Sequence, residues 1–534
     1  MERWISGLGL LVLLALAYAF SRNRRAVEPR TILWGVGLQL LFATIILGKD
    51  NVSFGGMFVL VSILVLYVFE VELKRLGWDP IGVAAAAFLT SAATVAGFYQ
   101  LGGTPVNTAL VWIALFALAI NFKLRHHHLG RIAFVGLLVV GLGELWATGV
   151  DGQAAFKVLS DTVAAFLALS ISGAEFLFGN LALAEHYFVG EESAWPGFGF
   201  QFAFSVLPTI IFFSAFMSVL YYLGIVQVLI AAMAKFMLWS LRTSGSETMS
   251  CSANVFVGQT EAPFLIKPFL DKMTSSELNA VMTGGFATIA GGVLAGYIQM
   301  GVNPGHLIAA SVMSAPAALV IAKLLYPETE ESATAGDIEV PEVDTADNVV
   351  EAAANGTTDG LKLALNVGAM LIAFIALIAF LDAVLGYFDG VIDGQLLGGE
   401  LIAATGEYAG FFPGSTKTFF GTLLAPLAFI MGVPWVDAAA VGNLLGTKLT
   451  LNEFVAYGFL AEHIANDDLQ PRSLIIATYA LCGFANFSSI GIQIGGLGAL
   501  EPGIRQKLSK LAWRALAGGA LASFTTATVA GMIL

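Results

Sequence analysis

Residues 254–263 read NVFVGQTEAP, and they lie within the apolar sequence that makes up most of this chain. A second stretch, GTKLTLNEF at residues 446–454, also places a carboxylate in apolar surroundings. An ionisable residue at membrane depth is costly, and it commonly marks a place where a membrane protein binds something. These two stretches therefore decide how the rest of the sequence is interpreted.

Each stretch is followed by a Gly-rich apolar run with polar interruptions, GFATIAG at 285–291 and GFANFSS at 483–489. A weak internal repeat with polar, glycine-broken helices in matching places indicates the central binding site of a transporter. Small residues also allow ordinary close packing of helices, and that alternative stays open for Thr283 and Ser488. Packing alone is a weaker explanation for a buried glutamate that occurs beside polar residues twice.

The composition places the chain in a membrane. Of its 534 residues, 57% are hydrophobic and only 12% are charged, against roughly 25% in an ordinary globular protein. The mean hydropathy is +0.82. Such a chain uses lipid as its solvent, which excludes a soluble enzyme, a nucleic-acid-binding protein and a disordered protein. Two cysteines exclude a disulfide framework and a cysteine-rich metal site.

Apolar runs of near 20 residues, the length that crosses a bilayer, recur along the whole chain. They are expected at 5–20, 31–48, 56–72, 81–99, 108–122, 132–148, 199–222, 281–300, 307–325, 361–386, 473–495 and 515–534. Loops rich in Lys and Arg follow the first, third and fifth runs, and positive charge keeps a loop in the cytoplasm. The pattern predicts a multi-pass protein of the inner or plasma membrane with both termini outside.

Residues 327–360 carry ten acids and no Lys or Arg. Their composition predicts a flexible, solvated cytoplasmic connector between two halves of the protein. The sequence contains no intact phosphate-binding loop, no Gly-x-Ser-x-Gly and no His-Glu-x-x-His motif. It therefore indicates no enzyme chemistry, and accumulation against a gradient would need an ion gradient.

At these residues the sequence resembles the concentrative nucleoside transporter family of sodium/nucleoside symporters. The matching stretches are SRNRR at 21–25, VLPTIIFFS at 206–214, GQTEAP at 258–263, GGVLAGY at 291–297, NEFVAY at 452–457 and ALCGFAN at 480–486. The resemblance covers residues 1–48 and about 155–534. Residues 49–153 depart from it, as a segment of four extra spans inserted after the second helix.

The resemblance implies an all-α polytopic membrane protein, an inverted-repeat transporter with two re-entrant helical hairpins and two broken helices. The hairpins are expected at 245–275 and about 419–465, and the broken helices at 281–300 and 473–495. It also implies a homotrimer, with a scaffold and a transport domain that moves like an elevator in each protomer. The implied division begins with scaffold helices at 1–48, the insert at 49–153, and an interfacial and a scaffold helix at 154–222. A first transport repeat follows at 223–326, and the acidic loop at 327–360. A scaffold helix and periplasmic segment occupy 361–418, and a second transport repeat occupies 419–534.

The resemblance also assigns the substrate site. Gln259 and Thr260 are expected to meet the edge of the nucleoside base, with Glu261 close by and Phe484 packed on the base. Glu453, Asn486 and Ser489 are expected to hold the ribose, and an ionised glutamate can accept hydrogen bonds from two hydroxyls. Uridine, cytidine and adenosine are all candidate substrates, because the sequence does not rank purine against pyrimidine nucleosides.

Sodium is the expected coupling ion, and no cofactor is expected. The family's sodium site maps onto the side-chain oxygens of Asn254 and Thr288 and the carbonyls of Val257 and Ile289, and a hard cation prefers oxygen ligands. Proton coupling through Glu261 or Glu453 stays open as the alternative. Two rivals from other classes are a membrane enzyme acting on nucleotide-linked lipids and a passive channel.

Overall fold

A computed structural model describes residues 2–75, 80–101, 110–111, 113–114, 127–182, 201–335 and 346–534. Within those residues the protein is almost entirely helical, with one short antiparallel pair of strands, β1 (Leu401–Ile402) and β2 (Glu407–Tyr408). Nine of the described helical segments are long and apolar enough to cross a membrane, or ten if one sharply bent pair counts as a single span. The predicted multi-span helical fold is confirmed.

The described residues form twenty α-helices. They are α1 (Glu2–Ala19), α2 (Pro29–Leu47), α3 (Asp50–Arg75), α4 (Pro80–Leu101), α5 (His127–Ala147), α6 (Gly152–Ala168), α7 (Ser170–Phe178), α8 (Phe202–Tyr222), α9 (Ile225–Leu241), α10 (Gly245–Ala253), α11 (Ser275–Ala287), α12 (Gly291–Gln299), α13 (Pro304–Leu325), α14 (Val349–Asp389), α15 (Thr416–Ile430), α16 (Trp435–Thr450), α17 (Glu453–Asn466), α18 (Pro471–Leu481), α19 (Phe487–Leu500) and α20 (Arg505–Ile533). The predicted span at 108–122 lies mostly outside the described residues.

The chain divides into two compact units, and the smaller one comprises residues 37–159 with the last two residues. Its core joins valines and leucines of α3, α4 and α5. The two ends of the predicted insert lie side by side, because the Asp50 amide donates to the Asp151 carboxylate at 2.9 Å. The Gly152 amide likewise donates to Ser53 Oγ at 2.9 Å. A segment whose ends meet can be added to a fold without displacing the elements on either side.

The larger unit, residues 1–36 and 160–532, contains two similar runs of elements. In the first run, α10, a turn at 254–261 and a 3₁₀-helix (Ala262–Lys272) form a hairpin that precedes α11, α12 and α13. In the second, α16 and α17 form a hairpin that precedes α18, α19 and α20. An apolar helix leads into each hairpin, α9 in the first run and α15 in the second. No span was expected at α9, whose 17 residues fall short of a full crossing.

Each run contains a helix that is interrupted part of the way along. The first break separates α11 from α12 at residues 288–290, and the second separates α18 from α19 at residues 482–486. The two breaks contact one another, since the Phe484 amide donates to the Thr288 carbonyl at 3.2 Å. Gly483 has φ of +137°, and a Cβ there would lie 2.8 Å from the Phe286 carbonyl oxygen. Glycine is therefore required where the two breaks meet.

The connector expected over 327–360 is helical from residue 349, and its other described end is hydrogen-bonded to α10 and α11. Asn348 caps α14 by accepting from the Glu351 amide at 3.0 Å, so residues 349–360 are already helical. At the other end, Thr334 Oγ1 donates to the buried carboxylate of Glu277 at 2.7 Å. The Thr334 carbonyl accepts from the Gly245 amide at 2.9 Å. Residues 336–345 lie outside the described part.

Candidate functional site

The tip of the first hairpin carries three of the expected substrate residues. The capping box of Ser244 and Glu247 starts α10, which ends at Ala253, and the chain leaves helical geometry until the 3₁₀-helix begins at Ala262. Glu261 folds back on this turn, with its Oε2 accepting from the Gly258 amide at 2.5 Å. The turn therefore presents Gln259 and Thr260 at the end of the hairpin rather than along a helix.

The tip of the second hairpin positions Glu453. Asn452 caps α17 by accepting from the Val455 amide at 2.9 Å, which makes Glu453 the first residue of the helix. The Glu453 side chain is only 4% exposed. Its Oε1 accepts from Tyr297 Oη at 3.2 Å, and its Oε2 accepts from Asn486 Nδ2 at 3.0 Å. Two donors from other elements therefore fix the orientation of the carboxylate.

Asn486 and Ser489 lie where the second broken helix resumes. Asn486 caps α19, since its Oδ1 accepts from the Ser489 amide at 2.9 Å, while its amide nitrogen donates to Glu453. Ser489 Oγ accepts from Gln259 Nε2 at 3.4 Å. The structure thus brings Gln259, Glu453, Asn486 and Ser489 together, although they come from both hairpins and a broken helix.

Sequence reasoning missed two residues of this polar group. Gln493, 1% exposed, donates from Nε2 to Gln259 Oε1 at 2.9 Å and to the Met282 carbonyl at 3.0 Å. The signal was available, because Gln493 follows Ser489 by four residues on one face of a helix. Tyr297, the other missed residue, was quoted in the family-like stretch 291–297 and given no role. Gly285 packs against this group, and a Cβ there would lie 2.5 Å from Gln493 Nε2.

Three expected substrate residues lie outside this hydrogen-bonded group. Phe484 is half-buried in the second break, and Thr260 is half-buried with its side chain 3.4 Å from the position of a Cβ at Gly496. Glu261 is exposed and bonds only to its own turn in the described contacts. None of these three side chains hydrogen-bonds to the polar group in the described part of the chain.

The expected sodium ligands lie where the first hairpin tip packs on the first break. Asn254 is 1% exposed and its Oδ1 has no hydrogen-bond partner in the described part of the chain, although a buried oxygen normally has one. Thr288 is also 1% exposed, and its hydroxyl donates to the Gly284 carbonyl at 2.9 Å. A Cβ on Gly284 would lie 3.5 Å from Asn254 Nδ2, so both side chains converge on Gly284. Val257 and Ile289 are also buried. Val257 lies on the same turn as Asn254, and Ile289 lies in the same break as Thr288.

These residues fit a sodium ion. The unpartnered Asn254 oxygen is an acceptor that lacks a donor, and the Thr288 oxygen keeps lone pairs after donating its proton. Hydroxyl, amide and carbonyl oxygens are the ligands that a hard monovalent cation accepts. No cluster of three or more His, Cys, Asp or Glu side chains suited to a metal occurs among the described residues. That finding does not bear on a site built from neutral oxygens.

Lys448 is the nearest cationic residue in sequence that could pair with Glu453. A purely structural Glu453 would need a permanent cationic partner, and Lys448 is fully buried in the same hairpin. Its Nζ, however, donates to the Ala480 carbonyl at 2.8 Å and to Ser523 Oγ at 3.1 Å. Within the described residues Lys448 makes no ion pair with Glu453. The lysine therefore holds the end of α18 to α20 and leaves the carboxylate to its two neutral donors.

The class of this protein follows from three features. They are the two broken helices, the two hairpin tips and the buried polar group between the tips. Irregular backbone inside a membrane is tolerated where it is enclosed by protein or lines a binding cavity. A polar group built from both halves of a repeat is the arrangement of secondary transporters. The fold and the site together define a secondary membrane transporter.

Three family models match this chain. The N-terminal part of the Na⁺-dependent nucleoside transporters matches residues 8–61, and the C-terminal part of the same family matches residues 306–531. A nucleoside recognition region, called Gate, matches residues 203–303. The last two matches include both hairpins and both breaks.

Similar proteins occur in bacteria and mammals. An uncharacterized transporter of Haemophilus influenzae is 40% identical over 435 residues, which are 80% of this chain and 98% of that protein. Sodium/nucleoside cotransporter 1 of Mus musculus is 43% identical over 413 residues, 74% of this chain. This chain spans 59% of the length of the mouse protein.

The fold is also similar to solved structures. CNTnw in an inward-facing, substrate-bound state aligns with a TM-score of 0.71 at 32% identity, covering 100% of this chain and 98% of that one. A variant of CNTnw in an outward-facing state aligns equally well. The chain belongs to the concentrative, Na⁺-dependent nucleoside transporter family.

Proposed function

We propose that the polar group between the two hairpin tips binds a nucleoside, which the protein imports together with sodium. As a family member, the protein is a sodium-coupled nucleoside symporter that works by alternating access, and it is not an enzyme. The observation that supports this site is the contact of Gln259 with Ser489 and of Glu453 with Asn486. Through these two contacts, residues from both hairpins reach the second broken helix.

Glu453, Asn486 and Ser489 would bind the ribose. The Glu453 carboxylate accepts one donor on each oxygen, and each oxygen keeps capacity for a ribose hydroxyl. Because Tyr297 and Asn486 already orient the carboxylate, little side-chain entropy is lost when the sugar binds. A sugar without hydroxyls would leave buried polar groups without their best partners, which is how such a site rejects it.

Gln259 and Thr260 would meet the base edge, with Glu261 beside them and Phe484 packed on the base. The Gln259 amide both donates and accepts, so it suits base edges of different pattern. Gln493 holds the Gln259 carbonyl oxygen at 2.9 Å and so directs the rest of that amide. Phe484 is half-buried and lies two residues before Asn486, so a base packed on its ring would lie near the proposed ribose contacts.

Sodium would bind between Asn254, Thr288 and the carbonyls of Val257 and Ile289. The turn at 254–261 contains both ion residues and base residues, so an ion that orders this turn also orders Gln259. A ligand shifts an equilibrium by its differential affinity for the two states. Sodium and nucleoside would therefore strengthen one another's binding reciprocally.

The mobile part of the protein would comprise residues 223–326 and 419–534, moving like an elevator against a scaffold of residues 1–48, 154–222 and 361–418. α14 packs closely on α8, since a Cβ on Gly356 would lie 2.6 Å from the Ser214 carbonyl oxygen. The rest of α14 exposes large apolar side chains such as Ile372 and Phe380. That face would contact lipid and the other protomers of a homotrimer in the inner membrane, with both termini outside.

Equilibrium binding tests the proposed site directly. Purified protein is titrated with uridine in sodium buffer and in potassium buffer of equal ionic strength. The proposal predicts that uridine binds at least tenfold more tightly with sodium, as expected for a coupling of about 1.4 kcal/mol. Equal affinity in both buffers would contradict the sodium site, and tighter binding at low pH in potassium would favour proton coupling.

A further inference from the structure

A cavity of about 750 Å³ lies in the larger unit where α1, α13 and α20 meet. Aromatic and basic side chains dominate its lining. The lining residues are Phe20, Arg22, Ser275, Leu325, Tyr326, Lys507, Lys510, Leu511, Trp513, Arg514 and Ala517. Neither the nucleoside site nor the ion site uses any of them.

The charge of this cavity is one-sided. Its lining contains four cationic side chains and no carboxylate. Among the described residues Arg22 and Arg514 make no ion pair, and both guanidinium groups instead contact the Tyr326 ring, at 4.7 and 5.6 Å from its centroid. Two like charges on one buried ring repel each other, so an anion between them would be bound favourably.

The acidic residues next to the cavity are directed elsewhere. Glu330 reaches the lining only through the Ser275 amide, at 3.4 Å, and it lies in the neighbouring cavity. Glu328 accepts from Thr274 Oγ1 at 2.8 Å and pairs with Lys323 at 3.6 Å. The described carboxylates nearby thus leave the four cations of this cavity without a counter-ion.

The rim of the cavity indicates its height in the membrane. Trp513 is 65% exposed and Phe20 is 68% exposed. Phe20 precedes Arg22, and Trp513 lies between Lys510 and Arg514. Trp residues such as Trp513 concentrate at membrane–water interfaces, and Lys- and Arg-rich loops face the cytoplasm. The cavity therefore lies at the inner leaflet, at the depth of the lipid headgroups.

We propose that this cavity binds the phosphate of an anionic phospholipid from the inner leaflet. Basic pockets between transmembrane helices on the cytoplasmic side are suited to such headgroups. The arginines and lysines would contact the phosphate, and the apolar wall of Leu325 and Leu511 would contact the start of the acyl chains. A bound lipid would lie against α13 and α20, beside the end of α1.

The test uses the full-length purified protein and short-chain lipids below their micellar concentration. Dioctanoyl phosphatidylglycerol is the anionic probe and dioctanoyl phosphatidylcholine is the neutral one. Inorganic phosphate and uridine monophosphate are soluble probes of the same chemistry. Binding is measured by calorimetry for the wild type, for the pair Lys510→Gln with Arg514→Gln, and for the control pair Arg25→Gln with Lys272→Gln. The control residues are exposed and lie outside the lining.

We expect phosphatidylglycerol to bind the wild type and the control pair alike, and to bind the cavity pair about thirtyfold more weakly. That factor corresponds to about 1 kcal/mol for each removed charge. A second cavity pair, Lys507→Gln with Lys510→Gln, changes only exposed residues and should show a similar loss if Arg514→Gln prevents folding. Uridine binding serves as the check that each variant is folded.

Two results would overturn the proposal. Equal weakening in the control pair would show that the lipid responds to the general surface charge and not to this cavity. Phosphate or uridine monophosphate binding as tightly as the lipid, with the same loss in the cavity pair, would show that the occupant is a soluble anion.

Discussion

At the scale of single residues, Glu453 is the group on which the ribose assignment depends. Glu453→Gln is nearly isosteric, but it exchanges one acceptor oxygen for an NH₂ donor, which cannot accept from a hydroxyl. A charge-assisted hydrogen bond contributes roughly 1.5–3 kcal/mol. We therefore expect uridine affinity to fall about ten- to a hundredfold, measured by equilibrium binding to the purified variant.

The control for this substitution is Glu462→Gln, which changes an exposed glutamate of the same helix. A 2′,3′-dideoxynucleoside should bind the wild type weakly and lose much less affinity on the Glu453 change. Equal losses for uridine and the dideoxy analogue would mean that Glu453 does not bind the sugar.

Gln493 should affect the base rather than the sugar. Gln493→Leu removes the donor to Gln259 and leaves a buried carbonyl oxygen unpaired, at a cost of about 1–3 kcal/mol. We expect uridine affinity to fall about tenfold or more, while the affinity ratio of uridine to 2′,3′-dideoxyuridine stays unchanged. A change in that ratio would place Gln493 in contact with the ribose instead.

The ion residues should change the sodium dependence. Asn254→Ala removes the unpartnered buried oxygen, and Thr288→Val removes a hydroxyl at similar shape. Each should raise the sodium concentration for half-maximal uridine uptake severalfold, because the ion loses one of its oxygen ligands. Thr478→Val is the matched control, because Thr478 makes the same backbone contact four residues back, to Leu474, in the second repeat. An unchanged sodium dependence in both variants would remove these residues from the ion site.

Four residues of the polar group, Gln259, Glu453, Asn486 and Ser489, were expected at the site from the resemblance, and the glutamate was also conspicuous in apolar sequence. Gln493 and Tyr297 were not predicted. Each is a single polar residue within an otherwise apolar helix, and only the three-dimensional contacts show that Gln493 reaches Gln259 and that Tyr297 reaches Glu453. Their roles depend on contacts between residues far apart in the sequence.

At the scale of the elements, the contact between the two breaks at Gly483 should contribute to the stability of the fold. Gly483→Ala forces a side chain into a left-handed conformation and within 2.8 Å of a backbone oxygen. Strain of this kind costs about 1–3 kcal/mol. We expect a fall of several degrees in the midpoint of thermal unfolding, followed by tryptophan fluorescence. Gly495→Ala in α19 is the control, since a Cβ there meets nothing within 4 Å; equal shifts in both variants would contradict the crossing.

The ends of elements were harder to predict than their existence. The long helix α14 begins at Val349 and not near residue 361, because Asn348 caps it outside the apolar segment and its first twelve residues include polar ones such as Glu351, Asn355 and Asp359. Hydropathy detects only the part of a helix that lipid surrounds. The two Gly-Phe-Ala motifs also differ in position, since the first ends α11 and the second lies within the break before α19.

At the scale of the whole molecule, the central claim is that a sodium gradient drives nucleoside accumulation. Purified protein is reconstituted into liposomes, and radiolabelled uridine uptake is measured with an inward sodium gradient or an inward proton gradient imposed separately. The account predicts accumulation above the external concentration with sodium, and only equilibration when potassium replaces it. Uptake that is equally strong in potassium with an inward proton gradient would contradict sodium coupling.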